Sequence, residues 1–225
     1  MKQRYFITGT DTEVGKTAIS CALICAANAR GLRTAAVKPV AAGCDEHGQN
    51  EDALALMAVM SASLPYQQVN PVALAPAIAP HIAAARAGKR LRADTLAGYC
   101  QGVTTGAADF VLVEGAGGWR VPLNERETLA DLAVVLGFPV ILVVSMRLGC
   151  INHALLSCEA IANDGLKLAG WVANTPGETM SCYQENLATL KGLIAAPLLG
   201  EVPKISPFSG EDAAKHIDLS LLSPK

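Results

Sequence analysis

The stretch Gly9-Thr10-Asp11-Thr12-Glu13-Val14-Gly15-Lys16-Thr17 constrains this chain more than any other. A β-prone segment, Arg4 to Thr8, precedes it, and an apolar-rich helical stretch, Ala18 to Ala27, follows it. Strand, glycine-containing turn, Gly-Lys-Thr and helix together are the layout of a phosphate-binding loop. Backbone N–H groups at a helix start have no intrahelical partner and bind phosphate oxygens. Lys16 adds a point charge, and the Thr17 hydroxyl can ligate Mg²⁺. The common form of this loop starts with a glycine where this chain has Thr10, and here the glycine sits one residue earlier, at Gly9. A tight turn with a solvated lysine is the plainer reading, and it leaves Asp11 and Glu13 unexplained.

A chain of 225 residues suits one large α/β domain, expected over 1–225. Hydrophobic residues make up 51% and aromatics only 4%, so the core must be built from Ala, Val, Ile and Leu. That is the composition of parallel strands buried on both faces. No stretch reaches the ~18–20 apolar residues that span a bilayer. The longest candidate, Leu132 to Met146, is cut by Gly137-Phe138-Pro139 into a helix end and a strand. The N-terminus lacks the basic region and apolar run of a signal peptide, so a cytoplasmic location is expected. Net charge is −2 with no basic block, which argues against a nucleic-acid partner. The seven cysteines form no Cys-x-x-Cys pair and read as reduced, mostly small core residues. The four histidines are scattered, and no zinc site is indicated.

Thr34 to Val37 reads as a second strand. Pro39 cannot donate to a ladder, so the strand stops there with Lys38 at its C-terminal tip. In open α/β sheets that tip is where ligands bind. A polar loop, Cys44 to Glu51, leads to a helix with Asp52 in its first turn, where Asp52 is either a cap or a ligand. Residues 69–79 read as a connection with at most one short strand, followed by helices over 78–86 and 94–105. Asp109 to Glu114 is a buried strand that stops in Gly115-Ala116-Gly117-Gly118. A carboxylate at the end of an apolar strand is costly to bury unpaired, and Mg²⁺ nearby would resolve it. Thr128 and Asp131 form a capping box for a helix ending at Gly137. Pro139 to Val144 is the next strand, and its turn enters a helix near Ile151 that Gly165 closes. Leu168 to Ala173 is a strand ending at Asn174. A helix over about 179–191, a strand over 198–202 and a short helix near 211–216 complete the chain. Strand–helix alternation, with Lys16, Lys38, Glu114 and Asn174 at one edge, predicts a doubly wound, mostly parallel sheet flanked by helices.

The sequence resembles the dethiobiotin synthetase family. The resemblance rests on Gly9 to Thr17, Lys38-Pro39-Val40, Asp52-Ala53-Leu54, Val113 to Trp119, Leu148 to Ala154, Gly170 to Asn174 and Leu199 to Pro203, in the family's order. It implies a P-loop NTPase fold, ATP and Mg²⁺. It implies the joining of CO2 to 7,8-diaminopelargonic acid to give dethiobiotin, through a carbamate and a mixed carbamic–phosphoric anhydride. Thr17, Asp52 and Glu114 would hold Mg²⁺, and Lys16, Lys38 and Thr17 would serve the chemistry. Glu13, Val14, Gly15, Lys16, Thr17 and Ala18 would wrap the phosphates, with Gly115, Ala116 and Gly117 beside them. Asn174, Thr175, Pro203, Lys204 and Ile205 would flank the adenine. Thr12, Lys38, Ala42, Gly117 and Gly118 would meet the diamine. Gly149, Cys150, Ile151 and Asn152 would hold its carboxylate from the neighbouring subunit of a homodimer, with Cys150 a packing residue that lends its N–H.

The chain departs from the family's pattern at Ala42, where many members have Ser. Losing one neutral hydrogen bond costs roughly 0.5–1.5 kcal/mol, so a paralogue with shifted substrate choice is an alternative reading. Partitioning-type ATPases share the broad fold. They carry a second lysine early in the loop, where this chain has Asp11, and a basic membrane helix that the tail Glu211 to Lys225 does not resemble.

Overall fold

The computed structural model describes residues 2–222. Residue 1 and residues 223–225, the ends of the expected domain and of the tail, lie outside the described residues. Six strands form one parallel sheet: β1 (Gln3–Gly9), β2 (Thr34–Val37), β5 (Phe110–Glu114), β6 (Val140–Ser145), β7 (Leu168–Asn174) and β8 (Leu198–Val202), in the order β2-β5-β1-β6-β7-β8. Every adjacent pair is parallel.

Alternation along the central strands sorts side chains to two faces. Tyr5 and Ile7 of β1, with Phe110 and Leu112 of β5, pack beneath α1 (Lys16–Ala29) and α2 (Glu51–Val59). Phe6, Val111 and Val113 face the other way, against α5 (Ala93–Thr104) and α6 (Leu129–Leu136). A third cluster joins β6 and β7 to α7 (Cys150–Asn163) and α8 (Tyr183–Leu193). With both faces covered, the strands are apolar almost without interruption, as a parallel sheet requires. The Asp131 carboxylate accepts from the Thr128 N–H at 2.6 Å, so the capping box at α6 is formed.

Four features differ from the sequence reading. Pro39 does end β2, but the chain resumes as β3 (Val40–Ala42), which pairs with β4 (Val72–Leu74) in a separate two-stranded parallel sheet. A short helix, α3 (Tyr66–Val69), precedes β4, and α4 (Pro80–Arg86) follows it. The helix expected from about residue 179 begins only at Tyr183, because Cys182 adopts a left-handed backbone, φ 54°, that interrupts it. Cys182 is also exposed, and only Cys21, Cys100 and Cys150 are fully buried. The described residues close with α9 (Gly210–Ala214) and a 3-10 turn at Leu219–Leu221. No described helix is long and apolar enough to cross a membrane.

Candidate active site

The phosphate loop lies between β1 and α1, as the sequence places it. Gly15 sits at φ 85°, and a Cβ there would lie 2.2 Å from the Asn174 amide nitrogen, so only glycine fits. Gly9 is confined too: a Cβ would meet Val14 Cγ2 at 2.5 Å. The displaced first glycine therefore lets the returning loop pack directly on the strand end. Asn174 Nδ2 donates to the Val14 carbonyl at 2.8 Å, bracing the loop from the tip of β7. Glu13 holds a left-handed backbone, φ 58°, uncommon for a residue with a Cβ and frequent at functional turns.

Lys16 is not a solvated lysine. It is 7% exposed, and its ammonium donates to the Asp11 carbonyl at 3.0 Å. Burial, reinforced by the neighbouring Lys38 charge, lowers its pKa to about 8. A desolvated cation held only by a carbonyl awaits an anion. The Asp11 carboxylate holds the Thr12 N–H and pairs with Arg147 beyond β6. Both partners of that pair are half exposed, so it contributes under about 1 kcal/mol.

Lys38 is the opposite case. Its ammonium lies 2.6 Å from Glu114 Oε1, 2.9 Å from Asp52 Oδ2 and 3.2 Å from the Gly115 carbonyl. Burial disfavours its charge, but Glu114 and Asp52 outweigh that and raise its pKa. Burial also opposes the Asp52 charge, and Lys38 and Thr17 outweigh it and hold the carboxyl below the usual range. Thr17 Oγ1 donates to Glu114 Oε1 at 2.8 Å, so Lys38, Asp52, Glu114 and Thr17 form one cluster. Asp52 is not the cap of α2. That role belongs to Asn50, whose side-chain oxygen accepts from Asp52 N–H and Ala53 N–H, and the Asp52 carboxylate is left for the cleft.

A cleft of about 730 Å³ opens over this cluster. Thr12, Glu13, Gly15, Lys16, Thr17, Ala18, Lys38, Ala42, Asp52, Ala116 and Gly117 line it, as expected. Gly118 lies just behind, against the Gly9 and Thr10 carbonyls. Asn50, Ala41, Ile78, Pro80, Val121 and Pro122 also line it and were not anticipated. The signal for Asn50 was available, since Asn before Glu-Asp at a helix start is a cap pattern. The apolar wall had no local signal, because β3, α4 and the loop after β5 meet only in the fold.

Val14, Glu114 and Gly115 are buried behind the lining, and two further groups of expected residues stand apart from it. Thr175 N–H pairs with the Val202 carbonyl at 2.9 Å, which brings the tips of β7 and β8 together and places Pro203, Lys204 and Ile205 there. Gly149, Cys150, Ile151 and Asn152 open α7 beside Leu148, which is 92% exposed. The Cys150 N–H already donates to the Arg147 carbonyl at 2.9 Å, so it is not free as expected. The Ile151 and Asn152 N–H groups have no backbone partner among the described residues.

Comparison with known proteins decides the family. A profile described as an AAA domain matches residues 3–212. The chain is 57% identical over 224 residues to the ATP-dependent dethiobiotin synthetase BioD of Cellvibrio japonicus, covering 98% of each. It is 56% identical over 218 residues to that of Pseudomonas paraeruginosa, covering 96% of each. The chain belongs to the ATP-dependent dethiobiotin synthetase family. A ParA family ATPase from Chlorobium tepidum shares the fold, with a TM-score of 0.57 and 12% identity over 98% of this chain and 94% of that one. That likeness shows the fold and nothing finer.

The synthetase cleft also bears on the metal. Thr17, Asp52 and Glu114 offer only oxygen donors, as a hard divalent cation prefers. Glu114 Oε2 is buried without a hydrogen-bond partner among the described residues. An orphaned carboxylate oxygen near Thr17 and Asp52 is a donor that a divalent cation would use, and the chemistry of the three donors fits Mg²⁺. They include two carboxylates rather than three, in keeping with the lack of any grouping of three His, Cys, Asp or Glu among the described residues.

Proposed function

We propose that this chain joins CO2 to 7,8-diaminopelargonic acid with ATP and Mg²⁺, giving dethiobiotin, ADP and phosphate. The observation that carries the proposal is Lys38, an ammonium buried between Glu114 and Asp52 in the same cleft as Lys16 and Thr17. One amine of the diamine adds to CO2 and loses a proton, forming a carbamate. A carbamate oxygen then attacks the γ-phosphorus, and ADP leaves. The second amine attacks the carbonyl carbon of the mixed anhydride, closes the ureido ring and expels phosphate.

An anionic carbamate attacking an anionic phosphate needs positive charge held in place before the reaction begins. Lys16 neutralises the phosphate chain, and Lys38 meets the carbamate and the phosphoryl group in transfer. The N–H groups from Glu13 to Ala18 wrap the phosphates. Thr17, Asp52 and Glu114 would hold Mg²⁺, which supplies further neutralisation of the phosphate oxygens. Thr12, Ala42, Gly117 and Gly118 bound the diamine, and the apolar wall at Ala41 and Ile78 keeps water from the anhydride. Thr175, Pro203, Lys204 and Ile205 flank the adenine, with Asn174 beneath.

The diamine's distant carboxylate is received by Gly149 to Asn152 of a second copy in a homodimer, chiefly by the Ile151 and Asn152 amides at a helix start. The exposure of Leu148 beside them supports an interface there. The net charge of −2 with no basic block supports a small-molecule enzyme rather than a nucleic-acid partner, and a cytoplasmic location is part of the proposal.

The test is a product assay. Purified protein with Mg²⁺, bicarbonate and 7,8-diaminopelargonic acid should form dethiobiotin and ADP in equal amounts, with GTP and CTP run beside ATP. Related diamines in parallel separate the biosynthetic enzyme from a paralogue shifted by Ala42. ATP turnover that ignores the diamine and yields no ureido product would sink the proposal.

A further inference from the structure

Lys38 leaves the sheet as β2 ends, and Pro39 follows it, so no ladder holds its backbone. Residues far along the chain hold it instead. Its N–H donates to the Val69 carbonyl at 2.7 Å, and its carbonyl accepts from Asn70 Nδ2 at 2.6 Å. Asn70 Oδ1 accepts from the Tyr66 hydroxyl at 2.9 Å, and that hydroxyl oxygen accepts from the Asn50 N–H at 2.7 Å. Asn50 in turn caps α2, the helix whose first turn carries Asp52.

The direction of every bond in this chain is forced. A carbonyl only accepts, so Asn70 must turn its NH2 to Lys38. Its oxygen is then left for the Tyr66 proton, and the Tyr66 lone pairs are left for the Asn50 N–H. Asn70 is 2% exposed, so water does not replace its lost partner. The network joins the backbone of Lys38 to the cap of the helix carrying Asp52, and the two side chains meet 2.9 Å apart in the cleft. We propose that Tyr66 and Asn70 are positioning residues for the Lys38 ammonium, acting through its backbone and keeping it in register with Asp52. This inference rests on the reading of Lys38 as the group that meets the carbamate.

The other end of β2 supplies a control. There Ser61 and Thr34 exchange hydrogen bonds at 2.8 and 3.0 Å, away from the cleft. A displacement near 1 Å at a reacting group costs about 100-fold in rate. Asn70→Ala should therefore lower kcat about 100-fold and Tyr66→Phe about 10-fold, with ATP affinity within about two-fold of the parent. Because the residues act in series, the double variant should be no slower than Asn70→Ala alone. Ser61→Ala should lower stability and leave kcat unchanged. In spectra of protein carrying ¹⁵N-lysine, the Lys38 Nζ signal should shift in Tyr66→Phe and stay in Ser61→Ala. Folded Tyr66→Phe with parental kcat and an unmoved Lys38 signal would overturn the proposal, as would multiplicative losses in the double variant. If the parent protein makes no dethiobiotin, the proposed reaction falls, while the Lys38 signal still decides the role of Tyr66 and Asn70.

Discussion

Two lysines enter one cleft from different regions of the fold, and the fold treats them in opposite ways. Lys16 sits on the phosphate loop with a carbonyl as its partner and a pKa lowered to about 8 by burial. Lys38 sits at the tip of β2 with two carboxylates around it, which raise its pKa despite burial. One region stores an unsatisfied cation for an incoming anion. The other stores a paired ion cluster whose geometry is set before any ligand arrives, with Glu114 Oε2 as its one buried open position among the described residues. Binding energy and chemical positioning are thus held in separate parts of the structure, and variants should separate them.

Lys16→Ala should have the broadest effect. It removes a cation from the phosphate site, and both ATP affinity and turnover should fall by more than about 100-fold, as titration calorimetry and product formation will show. Loss of turnover alone would break the contrast between the two regions.

Glu114→Ala comes next, through stability. It takes away the fully buried partner of Lys38 and leaves only the partly exposed Asp52, at a cost of about 3 kcal/mol in denaturant unfolding. Asp52→Ala should cost only about 1 kcal/mol, because its side chain is 37% exposed and solvent screens the loss. Equal costs would mean that burial does not order the cluster.

The third prediction concerns protons. The folded pKa of Lys16 is about 8 against an ordinary 10.5, so the unfolded chain binds this proton more tightly. The penalty is full below about pH 8, and the stability of the nucleotide-free protein should rise with pH from there toward 10.5. ATP restores the charged form, so binding near pH 8.5 should take up a fraction of a proton, and binding at pH 6.5 none at Lys16. Calorimetry in buffers of different ionisation heat measures this directly. Lys38, with its raised pKa, adds nothing in that window.

Ala42→Ser should have the smallest effect, lowering KM for the diamine by a few-fold, in line with one neutral hydrogen bond.

The parts of this site that could be read from sequence are those with local signals. Gly15-Lys16-Thr17 before an apolar helix and Glu114 before a run of glycines each follow from a few neighbouring residues. Lys38 was readable because Pro39 ends its strand. The hydrogen bonds that hold Lys38 could not be read, because Tyr66 and Asn70, four residues apart across the short α3, reach Asn50 and Lys38 only by tertiary contact. Residues 69–79 were expected as a connection with at most one short strand, and β4 is that strand, but nothing local showed that Ala77 to Pro80 after it would wall the cleft. A two-residue step from Asn50 to Asp52 separates a cap from an ion partner; the cap pattern was readable, and the pairing of Asp52 with Lys38 was not.

The most direct test of the division between binding and positioning uses one preparation of Lys38→Ala. Its ATP affinity and its dethiobiotin formation should be measured side by side. The structure predicts ATP binding within a few-fold of the parent and product formation reduced by at least about 1,000-fold, the range of a lost transition-state charge partner. Parallel loss of both would contradict it and would make Lys38 a nucleotide-binding or structural residue.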